Sequence, residues 1–186
     1  TLKTLASLGF ERPADISRVI RTWHYGRYRA TQSVEARERL TELTPDLLKA
    51  FGESSRADEA LLRFDSFLSG LPAGIQLFSL IGNNPALLSL IVTVMSSAPR
   101  LADIISSRPH VFDGMLDPGL MAELPTREYL SERLRTFLTA ARHYEEQLDR
   151  LRIFAAEQRF LIGIRLLTGA IDGIQAGRTF TDLADL

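Results

Sequence analysis

The feature that most constrains the fold is a long stripe of apolar and small residues in the C-terminal third of the chain. Its members recur at steps of three and four residues, a spacing that keeps one face of an α-helix against a partner. They are Leu130, Leu134, Phe137, Ala141, Tyr144, Leu148, Leu151, Ala155, Ile162 and Gly169. The stripe predicts a long helix near residues 127–168, about 60 Å in length if unbroken. We expect a kink in it at Gly163.

Polar side chains interrupt this stripe. Gln158 and Arg165 stand seven residues apart on the packed face, and Glu157 precedes Gln158. A polar group on a packed face must be hydrogen-bonded, or it costs about 1 to 3 kcal/mol. We therefore predict a buried polar network of Glu157, Gln158 and Arg165 that ties the helix to a neighbour or to another domain. A ligand or partner site is the alternative.

The rest of the chain also has helical periodicity, punctuated by residues that begin or end helices. These are Pro13, Gly26, Ser33, Asn84-Pro85 and Thr126. Thr44-Pro45-Asp46 predicts that a new helix starts after a helix over 34–43. The fold class that we predict is all-α, a multi-helix bundle. A β-strand over 160–167 is the competing interpretation of that apolar run.

Domain organisation is less marked than the helical pattern. We predict one helical region over residues 1–186, with a candidate lobe boundary in the linker-like stretch 52–57. The chain begins without an initiator Met, and its last residues are still helical in pattern. We expect it to be a piece of a larger protein.

Charge and composition argue against several classes of function. The 22 basic and 23 acidic residues give a formal net charge of −1, whereas a polyanion binder normally shows a basic excess. We therefore expect no nucleic-acid partner. The absence of cysteine excludes disulfides and cysteine nucleophiles and is compatible with a reducing compartment, so we expect a cytoplasmic protein. The most apolar run, 86–95, has about half the length of a membrane span, which indicates a core helix and no membrane partner.

A cluster of arginines and aromatic residues occupies positions 18–29. Arginine beside aromatic faces is the composition that stacks bases and grips phosphates, although the net charge weakens that interpretation. The alternative is structural: the tryptophan closes a helix face and Gly26 caps the helix end. A partner for such a cluster would be an acidic protein face. The candidate interaction residues are Arg18, Arg21, Trp23, Arg27 and Arg29.

Titratable residues elsewhere do not form a recognisable catalytic or metal pattern. No two of His24, His110 and His143 stand at metal-ligand spacing. The carboxylates Asp58, Glu59 and Asp65 are interpreted as part of solvated helix faces. We predict no catalytic, cofactor-binding or metal-binding residue within this chain.

Several short motifs follow one another in a single order along nearly the whole chain. They include Leu8-Gly-Phe10, Trp23-x-x-Gly-x-Tyr-Arg-Ala30, Leu43-Thr-Pro-x-Leu-Leu48, Arg63-Phe-Asp-x-Phe-Leu68, Asn84-Pro-x-Leu-Leu88, Ala98-Pro-Arg-Leu-Ala102 and Glu157-Gln-Arg-Phe-Leu-Ile-Gly163. Together these motifs resemble the bacterial glutamine synthetase adenylyltransferase family. The resemblance implies a parent enzyme with two nucleotidyltransferase halves, one attaching AMP from ATP to a tyrosine of glutamine synthetase and the other removing it by phosphorolysis.

The same resemblance implies ATP and magnesium as cofactors of the parent enzyme, though not of this segment. It implies glutamine synthetase, PII signal proteins and the remaining catalytic domains of the same chain as partners, with PII proteins and glutamine setting which reaction dominates.

The catalytic halves of that family look like the DNA polymerase β superfamily, in which a Gly-Ser motif and an Asp-x-Asp pair build the metal site. This chain has no Gly-Ser pair, and Asp182 and Asp185 have the wrong spacing. The resemblance therefore implies a non-catalytic linker or regulatory segment between the two catalytic cores, which ends just before the adenylyl-transferring one. Its exposed candidate surfaces are 18–29 and the predicted turns over 109–124. The alternatives are an inert spacer and a nucleic-acid-binding module.

Overall fold

The computed structural model describes residues 1–108 and 124–186. These residues contain α-helices and one 3₁₀ turn and no β-strand, which confirms the all-α prediction and is against the strand alternative for 160–167. Most of the turns predicted over 109–124 lie outside the described residues.

The chain divides into two compact units, Thr1–Pro109 and His110–Leu186. The helices of the first unit are α1 (Leu2–Ser7), α2 (Pro13–His24), α3 (Val34–Gly52), α4 (Ala57–Gly70), α5 (Ile75–Asn83), α6 (Pro85–Ser97) and α7 (Pro99–Ser107), with the 3₁₀ turn at Arg29–Thr31. The described helices of the second unit are α8 (Arg127–Thr139), α9 (Tyr144–Leu167) and α10 (Gly173–Ala184). Residues 52–57, the candidate lobe boundary in the sequence, lie inside the first unit and join α3 to α4.

Side-chain caps begin several helices where the sequence predicts them. Each capping oxygen accepts a hydrogen bond from the backbone N–H three residues later, which satisfies a group that has no partner within the helix. Ser33 accepts from Ala36 at 3.1 Å, and Asn84 accepts from Leu87 at 3.2 Å. Thr126 caps α8 in the same way, so the three predicted helix starts are confirmed.

The helix predicted to start at Thr44 is wrong, because α3 continues without a break through Pro45. Proline has no N–H to donate and normally breaks a helix interior at a cost of about 3 kcal/mol. Here the apolar face continues across the proline, with Leu43 and Leu47 both buried. The hydroxyl of Thr44 also donates to the carbonyl of Leu40 at 2.6 Å. Packing on both sides of Pro45 therefore outweighs the local signal.

The core of the first unit is built around Phe64 of α4. Its ring centroid lies 5.9 Å from Trp23, 5.4 Å from Phe51 and 6.2 Å from Phe67, in edge-on and tilted arrangements. Such aromatic pairs contribute about 0.5 to 1.5 kcal/mol each beyond their burial. These contacts join α2, α3 and α4 into one core.

The apolar run 86–95 lies in α6, which buries Leu87, Ile91, Val94 and Met95, as predicted for a core helix. Within the described ranges, no helix taken singly has both the length and the apolar composition needed to cross a membrane. Helices α5 and α6 meet those criteria only as a pair, with a bend of 111° between them.

The long helix predicted near 127–168 is divided in two, and its break lies at 140–143 and not at Gly163. Nδ1 of His143 accepts a hydrogen bond from the N–H of Glu146 and so begins α9. The Glu146 carboxylate accepts from the N–H of Arg142 at 2.8 Å. These bonds satisfy N–H groups at the start of a new helix, and α8 packs against α9.

The second unit has a small apolar core of its own. It consists of Leu130 and Leu134 from α8 and Phe154 from α9, with the partly buried Phe137, Leu138 and Leu183 packed against it. Since Leu183 lies in α10, this cluster joins the three described helices of the unit.

Candidate interaction site

One oxygen of Asp65 in α4 holds both the end of α2 and the loop that follows it. The indole Nε1 of Trp23 donates to Asp65 Oδ1 at 2.7 Å, and the hydroxyl of Tyr28 donates to the same oxygen at 2.9 Å. Trp23 is fully buried. Hydrogen bonds to an ionised carboxylate are stronger than those between neutral groups. Asp65 therefore fixes the position of residues 23–28 from inside the unit.

Burial, and then the hydrogen bond and the negative charge of Asp65, raise the pKa of Tyr28 to about 12. The phenol is therefore protonated at neutral pH and serves as a permanent donor to Asp65. This arrangement uses Tyr28 for structure and leaves its hydroxyl occupied.

The loop after α2 is fixed at its other end as well. Gly26 ends α2 with a φ of 66°, a left-handed conformation that favours glycine. Nη1 of Arg37 donates to the carbonyls of Thr31 at 3.1 Å and Gln32 at 2.7 Å. The backbone of 26–32 is thus held by Asp65 and Arg37 together.

The structure separates Trp23 from the four arginines with which the sequence grouped it. Arg18, Arg21, Arg27 and Arg29 are exposed, whereas Trp23 lies in the core and cannot stack on a partner in the folded chain. The exposed aromatic residue on this side is Tyr25, at 72% exposure. Its spacing from Arg18 and Arg21, seven and four residues along a helical pattern, is the sequence signal that would have identified it.

Asp58 corrects the interpretation of the α4 carboxylates as solvated. Its side chain is only 6% exposed and accepts from the N–H groups of Glu11 at 2.8 Å and Arg12 at 3.0 Å. These two backbone groups lie just before the first turn of α2. Asp58 therefore holds the start of α2, and Asp65 holds its end.

In the second unit, the polar residues predicted on the packed stripe of α9 are inside the protein. Gln158 is 4% and Arg165 is 3% exposed, and Glu157 is half-buried. Burial lowers the pKa of the Arg165 guanidinium, which still stays protonated at neutral pH because its ordinary pKa is so high. The network that would join these three side chains stays a prediction.

A groove of about 500 Å³ lies between α8 and α9, lined among others by Tyr129, Glu132, Phe137, Arg150 and Phe154. Arg150 crosses from one helix to the other in this groove. Its Nη2 and Nε donate to Glu146 Oε1 at 2.9 and 3.2 Å, and its Nη1 donates to the carbonyl of Phe137 at 3.0 Å. Its guanidinium also lies 5.2 Å from the centroid of the Phe137 ring, within cation–π range. Arg150 is thus a structural clamp within the lining of the groove.

The Glu146 carboxylate in this clamp is held in its charged form. The hydrogen bond from the Arg142 N–H, and then the bonds from Arg150, lower the pKa of Glu146. Its charge therefore supports both the start of α9 and the orientation of Arg150.

The described residues do not fit a magnesium–nucleotide site of the kind that the resemblance implies for the parent enzyme. Such a site needs several carboxylates that converge on the ions. Across 1–108 and 124–186, no group of three or more His, Cys, Asp or Glu side chains is arranged to hold a metal ion. Asp58 and Asp65, the carboxylates nearest the core of the first unit, face backbone N–H groups and aromatic donors instead.

A sequence model of the family described as glutamate-ammonia ligase adenylyltransferase matches residues 88–186, more than half of the chain. The chain belongs to this family. The match starts within α6 and includes the whole second unit. The resemblance drawn from the sequence motifs is therefore confirmed.

Relatives from the glutamate-ammonia ligase adenylyltransferase family match the chain over its full length, including the first unit. Bifunctional glutamine synthetase adenylyltransferase/adenylyl-removing enzymes are 81% identical in Agrobacterium fabrum, 80% in Rhizobium meliloti and 72% in Brucella melitensis, each over 186 residues. In each case all of this chain is covered but only 19% of the relative. The chain thus spans about a fifth of the length of these family members.

Proposed function

We propose that the chain is a non-catalytic helical segment of an enzyme that adenylylates and deadenylylates glutamine synthetase, and that it links and helps to regulate the catalytic parts. The relatives support this proposal through their sequences, since an enzyme with both activities in its name contains a segment 81% identical to this chain. ATP, magnesium, glutamine synthetase and the PII proteins belong in this proposal to the parent enzyme.

The observation that carries the proposal is the use of carboxylates in the described helices. Asp58, Asp65 and Glu146 each accept hydrogen bonds from groups of their own unit, as caps and clamps. A carboxylate committed in this way supports a rigid scaffold. A nucleotidyltransferase site would instead direct its carboxylates together into an open pocket.

The first part of the proposal, that the chain is not catalytic, is tested by mixing the purified chain with glutamine synthetase, magnesium and labelled ATP. We expect no label on glutamine synthetase, while a full-length relative, such as that of Agrobacterium fabrum, transfers AMP under the same conditions. Transfer by the chain alone that stops on magnesium removal would contradict the proposal.

The second part of the proposal, that the chain helps to regulate the enzyme, is tested by calorimetric titration of the chain with a PII protein and, separately, with glutamine. Regulation requires a signal that binds two arrangements of the enzyme with different affinity, and a segment that senses the signal directly must bind it. Heat of binding with either ligand supports regulation. An absence of heat with both supports the alternative, an inert spacer that packs against the catalytic domains.

A further inference from the structure

We propose that the exposed side of α2 and the loop after it form a docking surface for an acidic protein segment. The surface, here the arginine face, consists of Arg18, Arg21, Tyr25, Arg27 and Arg29. It is a property of the first unit and goes beyond the role proposed above.

Helix geometry places the first three of these residues together. Successive residues of an α-helix are rotated by about 100°, and Ile16 and Trp23 mark the buried side of α2. Arg18, Arg21 and Tyr25 then lie within about 40° of the direction opposite Ile16. The helix therefore presents two guanidinium groups and one phenol along a single outward line.

The loop adds two further arginines in fixed positions. Arg27 and Arg29 alternate with Tyr28, whose hydroxyl is bound to Asp65, and with Ala30, which is buried. Every second residue of the loop is therefore anchored inward while the arginines are exposed. A loop backbone that is already held in place loses less conformational entropy when a partner binds, which favours affinity.

The charge of this region selects the partner. Residues 11–32 contain five arginines, no lysine and two carboxylates, in a chain whose formal net charge is −1. One of the carboxylates, Asp15, pairs with Arg18 at 3.2 Å on the surface, and exposed pairs of this kind contribute little stability. A carboxylate of the partner can therefore take the place of Asp15 beside Arg18. The planar guanidinium binds carboxylates with two parallel hydrogen bonds, and arginine and tyrosine are enriched among the residues that dominate protein interfaces.

The structure favours an acidic protein over a nucleic acid. Proteins that bind single strands stack bases on several exposed aromatic rings. Trp23 is buried, and Tyr28 is half-buried with its hydroxyl bound to Asp65, so the exposed rings here are Tyr25 and the adjacent imidazole of His24. Binding of a partner's carboxylates requires guanidinium groups and no aromatic ring.

The test measures binding of a fluorescently labelled poly-L-glutamate peptide to the whole chain by anisotropy. The variant is R18Q/R21Q/R27Q/R29Q. The control R100Q/R135Q/R159Q/R178Q removes the same charge from four arginines that are also exposed but lie elsewhere. We expect the variant to bind about tenfold more weakly or worse, and the control to change by about twofold at most, because the interaction depends on a local array of charges. Circular dichroism verifies that both stay folded.

Three results would overturn the docking surface. They are an absence of binding to the unmodified chain, an equal loss in the variant and the control, and tighter binding of a single-stranded DNA of the same charge than of the peptide. This test contains neither ATP nor glutamine synthetase. Its failure would therefore not contradict the proposed function, which is tested separately.

Discussion

Gly9 and Gly52 approach each other so closely that neither position can hold a side chain. A Cβ on Gly9 would overlap the carbonyl oxygen of Gly52, and a Cβ on Gly52 would overlap the carbonyl oxygen of Leu8. Gly9 also has a φ of 105°, which is strained for other residues. The ends of α1 and α3 therefore pack backbone against backbone.

Gly52→Ala should destabilise the first unit by about 1 to 3 kcal/mol, because the new methyl group has a backbone atom in its place and cannot be accommodated by a rotamer change. The matched control is Gly82→Ala in α5, where a Cβ meets no atom within 4 Å. It should leave stability unchanged or raise it by about 0.5 to 1 kcal/mol. Urea unfolding followed by circular dichroism measures both. Equal effects of the two substitutions would argue against the close approach.

Asp65→Ala should cost about 1 to 3 kcal/mol, since it leaves the buried indole N–H of Trp23 without its acceptor. Asp65→Asn keeps an acceptor oxygen and should lose less. Asp103→Ala, which removes an exposed carboxylate of α7, serves as the control. The measurement is the free energy of unfolding of each variant, and the order Ala, Asn, control from most to least destabilised is the expected one. If Asp103→Ala lowered the free energy of unfolding as much as Asp65→Ala, the role assigned to Asp65 would be wrong.

The raised pKa of Tyr28 predicts a loss of stability at alkaline pH. In the unfolded chain the phenol ionises near 10.0, whereas in the folded chain it ionises at about 12. The folded state therefore binds the proton more tightly between these values, and the stability due to Tyr28 is complete below pH 10 and falls as pH rises to about 12. Tyr28→Phe should flatten this part of the stability profile, and Tyr25→Phe controls for loss of one tyrosine. If the free energy of unfolding of Tyr28→Phe fell with pH as steeply as that of the unmodified chain, the loss of stability at alkaline pH would not be due to Tyr28.

Arg150→Ala should loosen the junction of α8 and α9, because it removes the bonds to Glu146 and to the carbonyl of Phe137 together with the contact to the Phe137 ring. We expect a loss of about 1 to 2 kcal/mol and faster hydrogen exchange in 137–146. Arg152→Ala breaks only an exposed pair with Asp149 and should cost less than about 0.5 kcal/mol. If the amides of 137–146 were equally protected from exchange in the two variants, Arg150 would not stabilise the junction of α8 and α9.

Several local signals in the sequence were reliable where both partners of an interaction are close in the chain, although the cap that His143 provides for Glu146 was not predicted. The caps by Ser33, Asn84 and Thr126 involve N–H groups three residues away, and all were predicted. Pro45 is also a local signal, but it failed because Leu43 and Leu47 are buried by residues from other helices. These three helix starts were therefore predictable, whereas the start of α9 after His143 and the continuity of α3 through Pro45 were not.

The break at 140–143 was hidden by the stripe itself. The spacing of three and four residues continues from α8 into α9 and does not show the break, yet Tyr144 and Leu151, two members of the stripe in α9, are 71% and 42% exposed. The α9 residue in the apolar cluster with Leu130 and Leu134 is Phe154, which is not a member of the stripe. The roles of Asp58 and Asp65 were hidden for a different reason. Trp23 and Asp65 are 42 residues apart in sequence, and no spacing rule relates positions at that distance.

The shared oxygen of Asp65 gives the chain a spectroscopic reporter of its own. Trp23 is the single tryptophan, and its indole N–H is bonded to the same atom that holds the loop of Tyr28. A bound partner that displaces Tyr28 would change the hydrogen bonding at this atom. Intrinsic fluorescence can therefore register events on the outside of α2 without any added label, through a ring that never meets the solvent.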